Sequence, residues 1–242
     1  MTNTIDEIHA KLLPFIGRKY NLPKTTDKGI VGKFLETLLG IPHSSNLLDC
    51  TDGEVKTFPV KKLKNGKIVP KESMCITMLS KADLSITKFN ESHCYTKMSN
   101  MLTISYFREN DIISFTGACI INLIKQTDIY DILEADYNTI QNTYIENDIL
   151  ESKNGTFLQT RTKGAGHGST SRAFYLRPVF MTRYCTMIVP VVPVVPVVPE
   201  VLPKIEEVSK VEEVSKVEEV LPKVEEVVTD LLLEAAFTKL TL

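Results

Sequence analysis

The chain has 242 residues, 43% of them hydrophobic, enough to bury a sizeable core as one large domain or as one domain with an appendage. Of the 28 basic and 30 acidic residues, 5 and 11 respectively lie from Val189 onward. A body of about +4 thus precedes a tail of about −6, and such a body is compatible with nucleic acid without demanding it. The five cysteines (Cys50, Cys75, Cys94, Cys119, Cys185) are scattered, odd in number and lack a CxxC pair, which disfavours a disulfide framework or a zinc site and points to a reducing, intracellular setting. No signal pattern opens the chain, and no uninterrupted apolar run reaches the length of a membrane span.

In chain order, apolar residues at helical spacing predict a helix over Ile5 to Phe15. A second is predicted over KGIVGKFLETLLGI, Lys28 to Ile41, with Asp27 as its N-cap and Gly40 as its stop. Leu47 to Asp49 and Glu54 to Val60 are expected as strands flanking an Asp52-Gly53 turn. Met74 to Ser80 and Met101 to Phe107, rich in β-branched and aromatic residues, are also expected as strands. Ile112 to Ile145 is assigned as mostly helical. FLQTRTK and RAFYLRPVFM are assigned as two strands joined by the glycine-rich GAGHGS. This order gives an α/β or α+β domain over residues 1–187.

The remainder is of another kind. In VPVVPVVPVVPEVLP, proline at every third position bars a helix and favours an extended spacer over 188–203. The K-V-E-E-V-S repeat over 204–228 sets no fixed apolar stripe and is expected to be low-complexity and solvated. Residues 229–242 carry a short amphipathic pattern, a docking element for a protein partner or a second subunit.

The densest chemistry lies in DCTDGEVKTFPVKK, Asp49 to Lys62. Residues two apart on a strand share a face, so Glu54 and Lys56 project together while Val55 faces the core. Folded back by the turn, Asp49 can reach the same edge. Two carboxylates there would suit a hard cation such as Mg²⁺, and an adjacent ammonium could orient an attacking water or neutralise a phosphate. On pattern alone, an ordinary charged hairpin explains the same residues.

Resemblance adds weight. Asp49, Glu54, Val55 and Lys56 resemble the PD-(D/E)XK nuclease signature, and KGIVGKFLE is similar to the helix that opens the family of MutH, the mismatch-repair nicking endonuclease, and its GATC-cutting restriction relatives. NESHCYTKM, FLQTRTKGAG and AFYLRPVFM follow in the family's order, so five blocks span about 155 residues. The resemblance implies a restriction-endonuclease-like fold, a central mixed sheet flanked by helices. It also implies Mg²⁺-dependent cleavage of double-stranded DNA, at GATC and of restriction type, with strand nicking or a silent DNA-binding module as the alternatives. Asp49 and Glu54 would hold the metal, Glu36 would complete the acids, and Lys56 would position water. Lys28, Lys97, Arg161, Lys163 and Tyr175 would engage DNA, and a palindromic site would call for a homodimer. Asp52 remains a second candidate for the first metal ligand, although a residue beside Gly53 is well explained by the turn. Arg161 and Lys163 also suit a solvated strand edge, Lys97 a surface lysine, Tyr175 a core aromatic, and His93 a structural histidine. His167, between Gly166 and Gly168, departs from the family's recognition block.

Overall fold

In the computed structural model, the described residues are 3–163, 170–185 and 187. The chain divides into two units, Met1–Val197 and Val198–Leu242, and the second lies wholly outside the described residues. So do the predicted spacer, repeat and terminal helix, and the loop with Gly166, His167 and Gly168.

Helix α1, Ile5–Leu12, starts where Thr4 and Glu7 form a capping box, and a short 3-10 turn, Leu13–Phe15, continues it. After β1, Lys19–Asn21, comes α2, Ile30–Leu39, which buries Val31, Leu35 and Leu39 and ends at Gly40 as expected. Its N-cap is Gly29 rather than Asp27. The Asp27 carboxylate instead accepts the Gly29 amide at 2.7 Å and pairs with Lys33 at 2.9 Å, which closes the turn before the helix.

Strand β2, Glu54–Lys62, runs parallel to β5, Asn100–Glu109, with Glu54 opposite Met101 and Lys56 opposite Thr103. Strand β6, Ile112–Asn122, pairs antiparallel with β5, and β3, Ile68–Pro70, pairs with the far end of β2. The five-stranded order β1-β6-β5-β2-β3 is therefore mixed. A second sheet has the order β4-β8-β7, built from Met74–Leu79, Arg172–Leu176 and Leu158–Thr162. Helices α3 (Lys81–Ile86), α4 (His93–Ser99), α5 (Thr127–Asn147) and α6 (Pro178–Tyr184) complete the described elements.

Each face of the five-stranded sheet has its own core. On one side Val55, Leu102, Ile104, Ile113 and Phe115 pack with α1 and α2. On the other Phe58, Val60, Met101 and Ile121 join residues of α4, α5, α6 and the second sheet. Alternation along β2 therefore puts Glu54 and Lys56 on the same face as Phe58 and Val60, toward α4. None of the described helices is long and apolar enough to cross a membrane.

Three expectations fail locally. Leu47–Asp49 is not a strand: β3 reaches only Val60–Lys62, so the start of β2 has one strand neighbour, and a loop side chain satisfies the open side instead. Within the predicted helix Ile112–Ile145, the first part is the long strand β6, and only Thr127–Asn147 is helical. The last predicted strand stops at Leu176, because Pro178 takes the first position of α6, where its missing N–H costs nothing.

Candidate active site

The loop from Asp49 to Gly53 delivers the motif. Cys50 donates its amide to the Gly53 carbonyl at 2.9 Å, and Asp49 Oδ2 accepts the Val55 amide at 3.0 Å. The Asp49 carboxylate thus sits one peptide from Glu54, as the motif's spacing implied. Asp52 does a different job: its Oδ1 accepts the Ile5 amide at 2.8 Å at the start of α1, while Asn100 Nδ2 donates to its carbonyl and to Oδ2. This tie between α1 and the sheet explains Asp52 without a metal. Gly53 is required by packing, since a Cβ there would lie 2.1 Å from the Asn100 carbonyl oxygen.

Glu54 is 1% exposed, and its Oε1 accepts hydrogen bonds from two ammonium groups, Lys56 Nζ and Lys97 Nζ, the latter at 2.7 Å. Its Oε2 is buried with no hydrogen-bond partner. A buried carboxylate survives only with compensating charge, which the two lysines supply. An orphaned Glu54 oxygen, with the Asp49 carboxylate bound to the next residue's amide, fits a hard divalent cation, which takes oxygen ligands. Among the described residues no three His, Cys, Asp or Glu side chains converge as a metal-holding group. Glu36, expected to complete the acids, instead pairs with His43 Nδ1 at 2.6 Å on the face of the sheet where α2 packs. The candidate pair is thus Asp49 and Glu54.

Buried among the acids, the Cys50 thiol is pushed up to about 12, first by burial and then by the charges of Asp49, Asp52 and Glu54. It stays protonated at neutral pH and is no nucleophile. Lys97 reaches Glu54 because α4 is well anchored: the Ser92 hydroxyl accepts the Tyr95 amide at 3.1 Å and donates to the Phe89 carbonyl at 2.6 Å. The Ser-His block is thus a helix start, Ser92 its cap and His93 its exposed first residue.

The second sheet carries the other expected residues. The Arg161 guanidinium lies over the Tyr175 ring, 5.7 Å from its centroid, and Lys163 Nζ approaches Cys75 Sγ at 3.3 Å. Gln159, two residues before Arg161 on β7, donates to Ser73 Oγ at 2.8 Å. The Tyr175 hydroxyl is shifted upward by burial and then by Cys75. Lys28 is exposed just before α2.

One residue the sequence did not single out organises the approach to β7. Asp136 of α5, 5% exposed, accepts the amides of Thr156 and Phe157 at 2.6 Å each and of Leu158 at 2.8 Å. From the other side, Arg177 donates to the carbonyls of Ser152 and Asn154. Gly155, at φ +82, sits between them, where a Cβ would lie 2.1 Å from the Leu158 carbonyl oxygen. The available signal was an acid within the apolar stripe Ile129, Leu133, Tyr137, Ile140.

These features define the class: an α+β protein whose mixed central sheet, flanked by helices, brings a carboxylate and two lysines together beside an aspartate at one strand start. The family model described as MutH, DNA mismatch repair enzyme MutH, matches residues 43–143, a span that holds Asp49, Glu54, Lys56, Lys97 and Asp136, and over that span the chain is similar to the MutH family. Among solved structures, a restriction endonuclease MvaI–cognate DNA substrate complex is similar at 13% identity and a TM-score of 0.40, covering 76% of this chain and 97% of that one. A likeness that low adds nothing to the assignment. No curated protein matches the chain.

Proposed function

We propose that the chain is a DNA endonuclease that hydrolyses phosphodiester bonds with Mg²⁺, of restriction type and acting at GATC. The observation that carries the reading is Glu54, a buried carboxylate with two ammonium groups on one oxygen and none on the other. The family-model match over residues 43–143 supports nuclease chemistry on DNA, and the restriction subtype and GATC site rest on the resemblance of the sequence blocks. Asp49 and Glu54 would hold the metal, which when bound supplies Lewis-acid activation of water and of the phosphoryl oxygen. Lys56 donates to Glu54 Oε1 and would orient the attacking water. Lys97, on the same oxygen, would offset negative charge building on the phosphate. Attack on phosphorus breaks the bond to the 3′ oxygen, leaving 5′-phosphate and 3′-hydroxyl ends. A double-strand break would need a second copy on the palindrome.

The test is to digest unmethylated, hemimethylated and fully methylated plasmid with the full chain, with and without Mg²⁺. Linear product from at least one plasmid, lost in EDTA, is the expected result. Nicked circles alone would favour the strand-nicking alternative, and intact plasmid throughout would overturn the reading.

Recognition is assigned to β7 and β8. Arg161, stacked on Tyr175, presents its guanidinium edge for a base, whereas Lys163 suits a phosphate. Arg161→Ala should weaken binding to the cleaved sequence by about 1 to 3 kcal/mol while random duplex loses little. Lys163→Ala should weaken both. Equal loss on specific and random duplexes for Arg161→Ala, measured by anisotropy in Ca²⁺, would remove its base-reading role.

A further inference from the structure

The β2–β3 hairpin concentrates positive charge that nothing assigned to the site uses. Lys61, Lys62, Lys64, Lys67 and Lys71 are all exposed, and the chain has no acidic residue from Thr57 to Lys71. Some lysines elsewhere find carboxylates, Lys33 with Asp27, Lys81 with Asp148 and Lys153 with Glu151, whereas Lys19, Lys24, Lys28, Lys88 and Lys125 are scattered and form no salt bridge among the described residues. Among the described residues, none of these five forms a salt bridge. The hairpin is also well formed. Lys61 faces Val69 and Lys62 faces Ile68 across the ladder, Leu63 donates to the Lys67 carbonyl at 2.8 Å, and Lys71 donates to the Pro59 carbonyl at 2.8 Å. Charge of either sign would protect the edge strand β3 from pairing. Glu72 follows Lys71 directly, but Lys61, Lys62, Lys64 and Lys67 are four charges of a single sign with no acid among them, and together they build a positive field.

The position of that field matters. β2 is one nine-residue strand with Glu54 at its start and Lys62 at its end. At about 3.3 Å per residue its ends lie about 26 Å apart. That span corresponds to roughly 8 base pairs of duplex, along which phosphates recur every 3.4 Å on each strand. The same strand thus bears the candidate active site at one end and an exposed lysine cluster at the other.

We propose that the β2–β3 hairpin is a phosphate-binding arm that holds duplex DNA about 8 base pairs away from the scissile bond. The proposal rests on the nuclease reading, because it gives the arm the same duplex that Glu54 and Lys56 would cut. The arm contributes affinity and register without reading sequence.

The experiment compares the full chain with its Lys62→Gln/Lys64→Gln/Lys67→Gln variant on a duplex that the wild type cleaves. One form is trimmed to about 4 base pairs on each side of the cut and one extended to about 16, chosen to fall short of and beyond the span of the arm. Binding is followed in Ca²⁺ over a series of salt concentrations. Three lost phosphate contacts should lower the slope of log K against log salt by about 2 to 3 on the long duplex, with affinity at least about tenfold weaker at low salt. The short duplex should bind both proteins alike. An unchanged slope on the long duplex, or equal loss on both lengths, would overturn the arm while wild-type cleavage left the nuclease reading intact. Lysine-dependent binding to anionic vesicles with duplex affinity unaltered would overturn it too. A wild type that neither binds nor cuts any duplex would fell both readings together.

Discussion

Lys56→Ala should lower DNA cleavage by at least about 10³-fold while binding to the same duplex in Ca²⁺ stays within about threefold of wild type. The ammonium is assigned to the attacking water, not to a base or a distant phosphate, so its loss acts on the chemical step. The variant should also keep its fold, because Lys97 still donates to Glu54 at 2.7 Å and the buried carboxylate keeps a counter-charge. Glu54→Ala should abolish cleavage as well, but for a second reason it is the harsher change. It leaves Lys56 and Lys97, 24% and 17% exposed, facing each other without their shared carboxylate. Breaking a buried ion pair costs about 3 to 5 kcal/mol, so Glu54→Ala should also melt earlier than Lys56→Ala. Glu36→Gln should cost far less activity than either, since Glu36 is held by His43 rather than by the lysines. Single-turnover cleavage, anisotropy and thermal melting on the three variants check this together. Near wild-type cutting by either Lys56→Ala or Glu54→Ala would show that the active site lies elsewhere.

The second large effect is expected at Asp136. Asp136→Ala would leave three backbone amides, those of Thr156, Phe157 and Leu158, without acceptors in a site where the side chain is 5% exposed. Hydrogen bonds to a charged acceptor are worth about 1.5 to 3 kcal/mol each and are not additive, so a loss of about 3 to 5 kcal/mol is expected. For a domain of this size that lowers the melting temperature by about 10 °C. The damage should concentrate in the segment 152–158, whose amides should exchange with solvent faster than those of β5. Asp136→Asn should recover part of the stability, because one oxygen still accepts while the new amide group opposes a donor. A fall of less than about 2 °C for Asp136→Ala, or uniform exchange across the domain, would refute the clamp.

Much of the fold could be seen in local pattern. Periodic apolar residues marked α1 and α2, and β-branched runs marked β4 and β5, since these segments bury one face and their side chains report it. The sequence of β6 suggests helix because an apolar run buried on both faces has no diagnostic period. Only its ladder with β5, from Asn100 opposite Asn122 to Glu109 opposite Ile112, decides its state. Leu47–Asp49 fails in the opposite direction: three residues beside a turn resemble a strand, but the start of β2 pairs only with β5, and Asp49 meets it through its side chain.

The same division holds at the site. The sequence alone put Glu54 and Lys56 on one face, because strand alternation is a local rule, and placed Asp49 beside them through the intervening turn. Tertiary structure decided what spacing cannot encode. Lys97 comes from 43 residues away in sequence to share Glu54 Oε1, because α4 packs on that face of the sheet. Glu36 belongs to a helix packed against the opposite face and finds His43 instead. Asp52 is drawn into the join between α1 and β5, and Asp136 into the loop before β7. Long-range partners depend on which layers close over one another, and the physical reason is burial: a charged group enclosed by packing must take whatever counter-charge or backbone donor that packing brings within reach.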